Sequence, residues 1–218
     1  KVDRITLLVV PGMAWDHEAL GTVRAMVADG CGVAGHGWSH QAVPPANLYH
    51  RAHGALISRD QAEHLSRSAG ELRRLVGRCH AWFDTIDLPE PELYVPPAWA
   101  LGRLSRSDLA GLPFRWYEVL SGVLDAERAD FRWMPLVGFE ADTRVRALAL
   151  GCTNALNVGI TRFMRRPLRI AIHPQDLRLH LATRLRELLA RDWEFTTVEA
   201  AMRERVSAPP PRRSTRTP

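Results

Sequence analysis

His36 and His40 stand four residues apart in GHGWSH, and another histidine, His173, stands in RIAIHPQD. Imidazoles can both hold a borderline metal ion and move a proton near neutral pH. A metalloprotease helix would need HExxH, with a glutamate directly after the first histidine. Here Gly37 follows His36, and the Gly and Ser within the motif disfavour a helix. In a loop, glycines on both sides of His36 permit a tight turn, so the two imidazoles can converge on one ion while Trp38 serves as a wall or packing residue. The same spacing in a chain with nine histidines is also what composition alone can produce. His173, taken by itself, reads equally as a core histidine bonded to a backbone carbonyl.

Both histidine segments follow short apolar runs. RITLLVV, Arg4 to Val10, is stopped by Pro11-Gly12 and reads as a strand covered on both faces. Asp16 to Asp29 has helical apolar spacing and ends at Gly30. A short strand from Cys31 to Ala34 then delivers GHGWSH at its carboxyl end, the side on which α/β folds place their chemistry. Ser58 with Gln61 reads as a capping box for a helix carrying Ala62, Leu65, Ala69, Leu72 and Val76. LYVPP, PFRWYEVL, FRWMPLV, RIAIHP and WEFTTV read as further strands, and Cys152 to Met164 and Leu177 to Leu189 as helices. The alternation predicts an α/β architecture with a mainly parallel sheet or barrel, in one domain over residues 1–206, followed by a disordered tail over 207–218.

Composition removes several classes of function. The net charge is +5, but the tail SAPPPRRSTRTP holds three arginines and no acid, leaving only +2 on the remainder, too little to argue for a nucleic-acid partner. No run of eighteen apolar residues exists to span a membrane, and no basic-then-apolar leader precedes the first strand, which points to a cytoplasmic rather than an exported protein. Cys31, Cys79 and Cys152 are odd in number and far apart, as expected of free thiols in a reducing compartment. The oligomeric state is not written in the sequence.

In order and spacing, TLLVVP (Thr6 to Pro11), GHGWSH, LISRDQAEHL (Leu56 to Leu65), YVPPAWAL (Tyr94 to Leu101) and IAIHPQD (Ile170 to Asp176) resemble the polysaccharide deacetylase superfamily, the NodB-homology carbohydrate esterases. The resemblance implies a distorted (β/α) barrel of the glycoside hydrolase/deacetylase type. It also implies a single divalent metal, commonly zinc, held by an aspartate and two histidines, with His36 and His40 as the matching pair. In that family a metal-bound water attacks an acetamide carbonyl, an aspartate acts as general base, and a late-strand histidine, matched here by His173, protonates the leaving amine. The expected substrate is an N-acetylated sugar or related amide, with Trp99 as a stacking residue. Three ligands would leave the open position that a catalytic metal needs.

The match is incomplete at the start. TLLVVP corresponds to the family's second strand, and the aspartate motif of the first strand has no counterpart, which leaves an open edge beside Arg4 to Val10. Because the chain begins at Lys1 rather than Met, it is expected to lack that strand. Asp16 lies near the same rim and is the local candidate for the missing ligand, or else simply starts a helix. Asp176, three residues after His173, orients that histidine or starts the following helix. A second functional class follows from the gap: a degenerate domain that binds a glycan through Trp99, Trp38 and Tyr94 without turnover.

Overall fold

A computed structural model describes residues 2, 4–39, 64 and 67–207, with side chains to 204. Strands β1 (Thr6–Val9), β2 (Gly32–Gly35), β3 (Leu93–Tyr94) and β4 (Trp116–Val119) run parallel to one another. Antiparallel β5 (Gly122–Asp125) and β6 (Asp130–Trp133) complete a six-stranded sheet in the order β1-β2-β3-β4-β5-β6. β7 (Leu136–Val137) and β8 (Arg169–Ile170) form a separate parallel pair. Helices α1 (His17–Ala28), α2 (Ala69–Asp84), α3 (Arg106–Ala110), α4 (Arg144–Met164), α5 (Ala182–Leu189) and α6 (Val198–Ser207) lie between and after the strands. The expected α/β class with a parallel sheet therefore holds. Among the described residues the strands form two sheets rather than one closed barrel.

Among the described residues β1 pairs only with β2, which leaves the expected open edge there. RITLLVV is also not covered on both faces: Leu8 is 43% exposed. Other boundaries also move. The helix expected to run on through Val76 is interrupted before Ala69, where Ser68 adopts an extended conformation and forms a reciprocal box with Glu71 that starts α2. Ser58 and Gln61 lie outside the described residues. FRWMPLV is split between β6 and β7, while β5 falls in a stretch for which the sequence named no element. WEFTTV is not a strand: Thr197 accepts the Ala200 N–H and begins α6. Leu177 to Leu189 breaks at Leu179, whose backbone is extended, so α5 starts only at Ala182.

α2 buries Leu72, and places Leu75, Val76, Cys79 and Phe83 in a cluster with Val9, Val33, Tyr94, Phe114 and Tyr117. α6 crosses the amino-terminal ends of the strands: Glu199 accepts from Thr6 Oγ1 at 3.1 Å, Arg203 pairs with Glu92, and Met202 enters the cluster of Ala34, Leu93, Trp116 and Val123. Burial pushes the Glu199 carboxyl's pKa up.

Arg169, at the first position of β8, joins the two sheets. Its Nη1 donates to Glu118 Oε1 (2.7 Å) and Val119 O (2.8 Å), Nη2 to Leu120 O (2.7 Å) and Met134 O (2.8 Å), and Nε to Met134 O (3.0 Å). The pair with Glu118 is buried. Arg169→Met should strand the Glu118 carboxylate in the interior and lower unfolding free energy by about 3–5 kcal/mol in urea titrations. The double variant Arg169→Met/Glu118→Gln should recover part of that loss; a single variant as stable as wild type contradicts the assignment.

Candidate functional site

The parallel ladder carries the chain directly to His36. Its N–H donates to Val9 O at 2.9 Å, and the Val95 N–H donates to Gly35 O at 2.9 Å. A Cβ on Gly35 would sit 2.7 Å from Phe114 Cζ and 2.9 Å from Cys79 Sγ, so glycine is what lets this strand end approach the α2 layer. Gly37, at φ +71°, turns the chain away from the strand. The His36 Nδ1 lies 2.6 Å from Val95 O. A carbonyl can only accept, so Nδ1 carries the proton, and in the neutral ring Nε2 is the nitrogen with the lone pair. This second-sphere tie is the arrangement that aims a histidine at a metal.

Of the other proposed ligands, Asp16 is among the described residues. Asp16 accepts the Ala19 N–H at 2.7 Å and caps α1, so the helix-start reading is the one the structure shows. His40 lies outside the described residues. Among the described residues, no group of three or more His, Cys, Asp or Glu side chains is placed to hold a metal ion.

A different histidine sits beside His36. His64, in the LISRDQAEHL stretch, is fully buried, stacks on Tyr94 with ring centroids 5.7 Å apart, and lies 2.8 Å through Nε2 from the Tyr94 hydroxyl. Its Nδ1 is buried and, among the described residues, has no hydrogen-bond partner. Burial first, then the charges of His36 and Arg67, lowers its pKa to about 3, so it stays neutral. The sequence assigned His64 no role; its position inside a matched stretch was the available signal.

The aromatic residues expected to stack on sugar differ in availability. Tyr94 is fully buried, its hydroxyl held by His64, so its ring offers no face to a ligand. Trp38 carries the Arg78 guanidinium 3.5 Å above its ring centroid, and its carbonyl accepts the Gly12 N–H at 2.7 Å, which makes it a wall. Trp99 is half-buried in the turn that Pro96 and Pro97 force at the end of β3. Ala98 (φ 55°) and Trp99 (φ 54°) are both left-handed without being glycine, a conformation costing about 1–3 kcal/mol per residue. The Trp99 Nε1–H holds the turn by donating to Glu118 Oε1 at 2.9 Å.

His173, three residues past β8, lies between two carboxylates. Its Nδ1 is 3.7 Å from Asp176 Oδ2, and its Nε2 is 3.9 Å from Glu140 Oε2. Asp176 is fully buried, and its Oδ2 accepts the His173 backbone N–H at 2.8 Å, fixing the turn and the near side of the ring. Gln175 donates to Glu140 Oε1 at 3.3 Å. Asp176 is the largest influence raising the His173 pKa; burial opposes it, and the Glu140 charge adds to the rise. Glu140 was not among the residues singled out in the sequence, because its partner lies 33 positions away.

No protein-family model matches the chain, and no curated protein sequence matches it significantly. Among solved structures, it is similar to the Xyl-CE4 domain of a multidomain xylanase from the hindgut metagenome of Trinervitermes trinervoides, at 12% identity and TM-score 0.52, covering 94% of this chain and 80% of that one. It is also similar to a family 4 acetyl xylan esterase from Clostridium thermocellum in complex with a cobalt ion (13% identity, TM-score 0.49, 93% and 78% covered). A third is the peptidoglycan deacetylase PdaC from Bacillus subtilis (16% identity, TM-score 0.49, 94% and 80% covered). The likeness to the Xyl-CE4 domain establishes a shared fold.

His64 gives a pH test of this region. Its folded pKa, about 3, lies below the unfolded value of 6.5, so the unfolded chain binds a proton that the native chain refuses. Stability should fall as pH drops from 6.5 toward 3, by up to about 1.4 kcal/mol per pH unit. Between pH 7 and 5, wild type should lose about 2 kcal/mol more than His64→Gln in denaturant titrations. Parallel losses in the two proteins would falsify the assignment.

Proposed function

We propose that the chain is a hydrolase of the deacetylase type, removing an acetyl group from an N-acetylated sugar or related amide. The observation that carries this reading is His173, held between Asp176 and Glu140 just past β8, in a fold shared with a family 4 carbohydrate-esterase domain. An amide breaks when water adds to the carbonyl and the amine leaves with a proton, so the reaction needs a group that stays protonated near neutrality and can donate in place. His173 fits. Asp176 occupies the Nδ1 side, leaving Nε2 on the side of Glu140 as the donating atom. Asp176 is a positioning residue, acting through the His173 backbone and ring.

A divalent metal such as zinc needs three protein donors and an open position. The described residues supply His36, oriented by Val95, and do not assemble three donors. They therefore do not by themselves fit the metal. Trp99, half-buried beside the strand ends, is the aromatic residue that supports a carbohydrate substrate. Asp16's engagement as a helix cap favours a second reading, a glycan-binding domain without turnover.

Acetate release from acetylated amino-sugar oligomers, measured with and without added zinc, separates the two. Wild type should turn over, while His173→Ala should lose at least about 100-fold, the usual contribution of a positioned general acid. His36→Ala should lose activity as well. Equal rates in all three proteins sink the catalytic reading, and binding of the oligomer without acetate release supports the second.

The pH profile adds a sign. A raised pKa keeps His173 protonated above its ordinary 6.5, so the rate should fall only as pH rises through that higher value. Glu140→Gln, by removing one of the raising charges, should move the alkaline limb to lower pH. An unmoved limb counts against His173 as the acid.

A further inference from the structure

α4 is an amphipathic helix turned inside out. Its polar amides face the protein: Asn154 Nδ2 donates to Gly138 O at 2.7 Å, Asn154 Oδ1 accepts the Gly138 N–H at 3.3 Å, and Asn157 Nδ2 donates to Leu136 O at 2.8 Å. Thr161 and Gly151 are buried on the same side, with Ala147, Leu150 and Val158 packed against the neighbouring core. These contacts fix the helix's rotation and aim its large apolar residues outward. Val145 is 79% exposed, Leu148 71%, Leu156 62% and Phe163 91%, and Cys152 is exposed between them. The spacing follows one helical face for nearly the whole 21 residues. A surface helix normally presents the opposite pattern, and a continuous apolar stripe of this kind marks an interaction surface.

Charge selects the partner. Residues 143–175 contain no aspartate or glutamate, and Arg144, Arg162, Arg165 and Arg166 are exposed at the two ends of the stripe. Arg146 is paired with Asp142 at 3.1 Å and Arg169 is buried, so those two do not contribute to the surface. A second copy of this chain docking through the same face would bring arginines against arginines, with no carboxylate on the helix to meet them. An anionic bilayer meets both requirements, since headgroup phosphates take the arginines while acyl chains receive Phe163, Leu156, Leu148 and Val145. Among the described residues no helix is long and apolar enough to cross a membrane, so the helix would lie in the plane of the surface. The geometry points to α4 as a docking face for an anionic lipid surface, a role independent of the proposed hydrolase activity.

Co-sedimentation of the 218-residue chain with vesicles tests this. The chain should pellet with phosphatidylcholine vesicles containing phosphatidylglycerol and stay in solution with phosphatidylcholine alone. Leu148→Asp/Phe163→Asp should weaken the partition at least about tenfold, because two apolar anchors are lost. Arg162→Glu/Arg166→Glu, which leaves the apolar residues in place, should weaken it too, and raising salt should do the same to wild type. Thermal melts show whether each variant is folded. The proposal is overturned by absence of pelleting, by equal pelleting with uncharged vesicles, or by variants that bind as wild type does. A wild-type dimer in sedimentation that Leu148→Asp converts to monomer would assign the face to a second copy instead.

Discussion

The arrangement of this protein depends on the guanidinium of Arg169. Among the described residues the β7–β8 pair has no ladder to the six-stranded sheet, and this side chain bridges them, its N–H groups reaching three backbone carbonyls and one carboxylate. Only a planar fork with five donors can serve the turn after β4, the exit from β6 and Glu118 at once; an ammonium group in the same place could not. The two buried charges are tolerable because they meet at 2.7 Å, the guanidinium's other N–H groups reach backbone carbonyls, and the same carboxylate oxygen also accepts from Trp99.

Glu118 extends that junction to the turn after β3. The oxygen that receives Arg169 Nη1 also receives the Trp99 indole N–H. Trp99 is held against its left-handed backbone by this bond and by the prolines before it. The strand that leads to His173 begins at the same guanidinium. The two turns are therefore tied to one junction although they lie far apart in the chain.

Local chemistry made some of the molecule legible in the sequence. β1, β2, β3 and β8 were found because Pro or Gly stops an apolar run, and α1 because Asp16 and Gly30 bracket it. His36, His173, Asp176 and Trp99 stood out because they follow strand ends. What escaped was set by pairing at a distance. The short run Gly122–Asp125 becomes a strand only through partners on both sides, and WEFTTV, rich in strand-forming residues, is overruled by the helix cap at Thr197. Glu118, Glu140 and His64 acquire meaning from partners 51, 33 and 30 residues away, which no window along the chain contains.

The asparagines of α4 have an effect on the sheet as well as on the helix. Pro135 and Val137 turn their carbonyls toward β8, so the Leu136 and Gly138 carbonyls point to the other edge of β7. Asn157 and Asn154 occupy that edge with side-chain amides. The Leu136 carbonyl and both backbone polar groups of Gly138 are thereby bonded from within the chain, so along this side of β7 they are not open to an extended segment of another molecule.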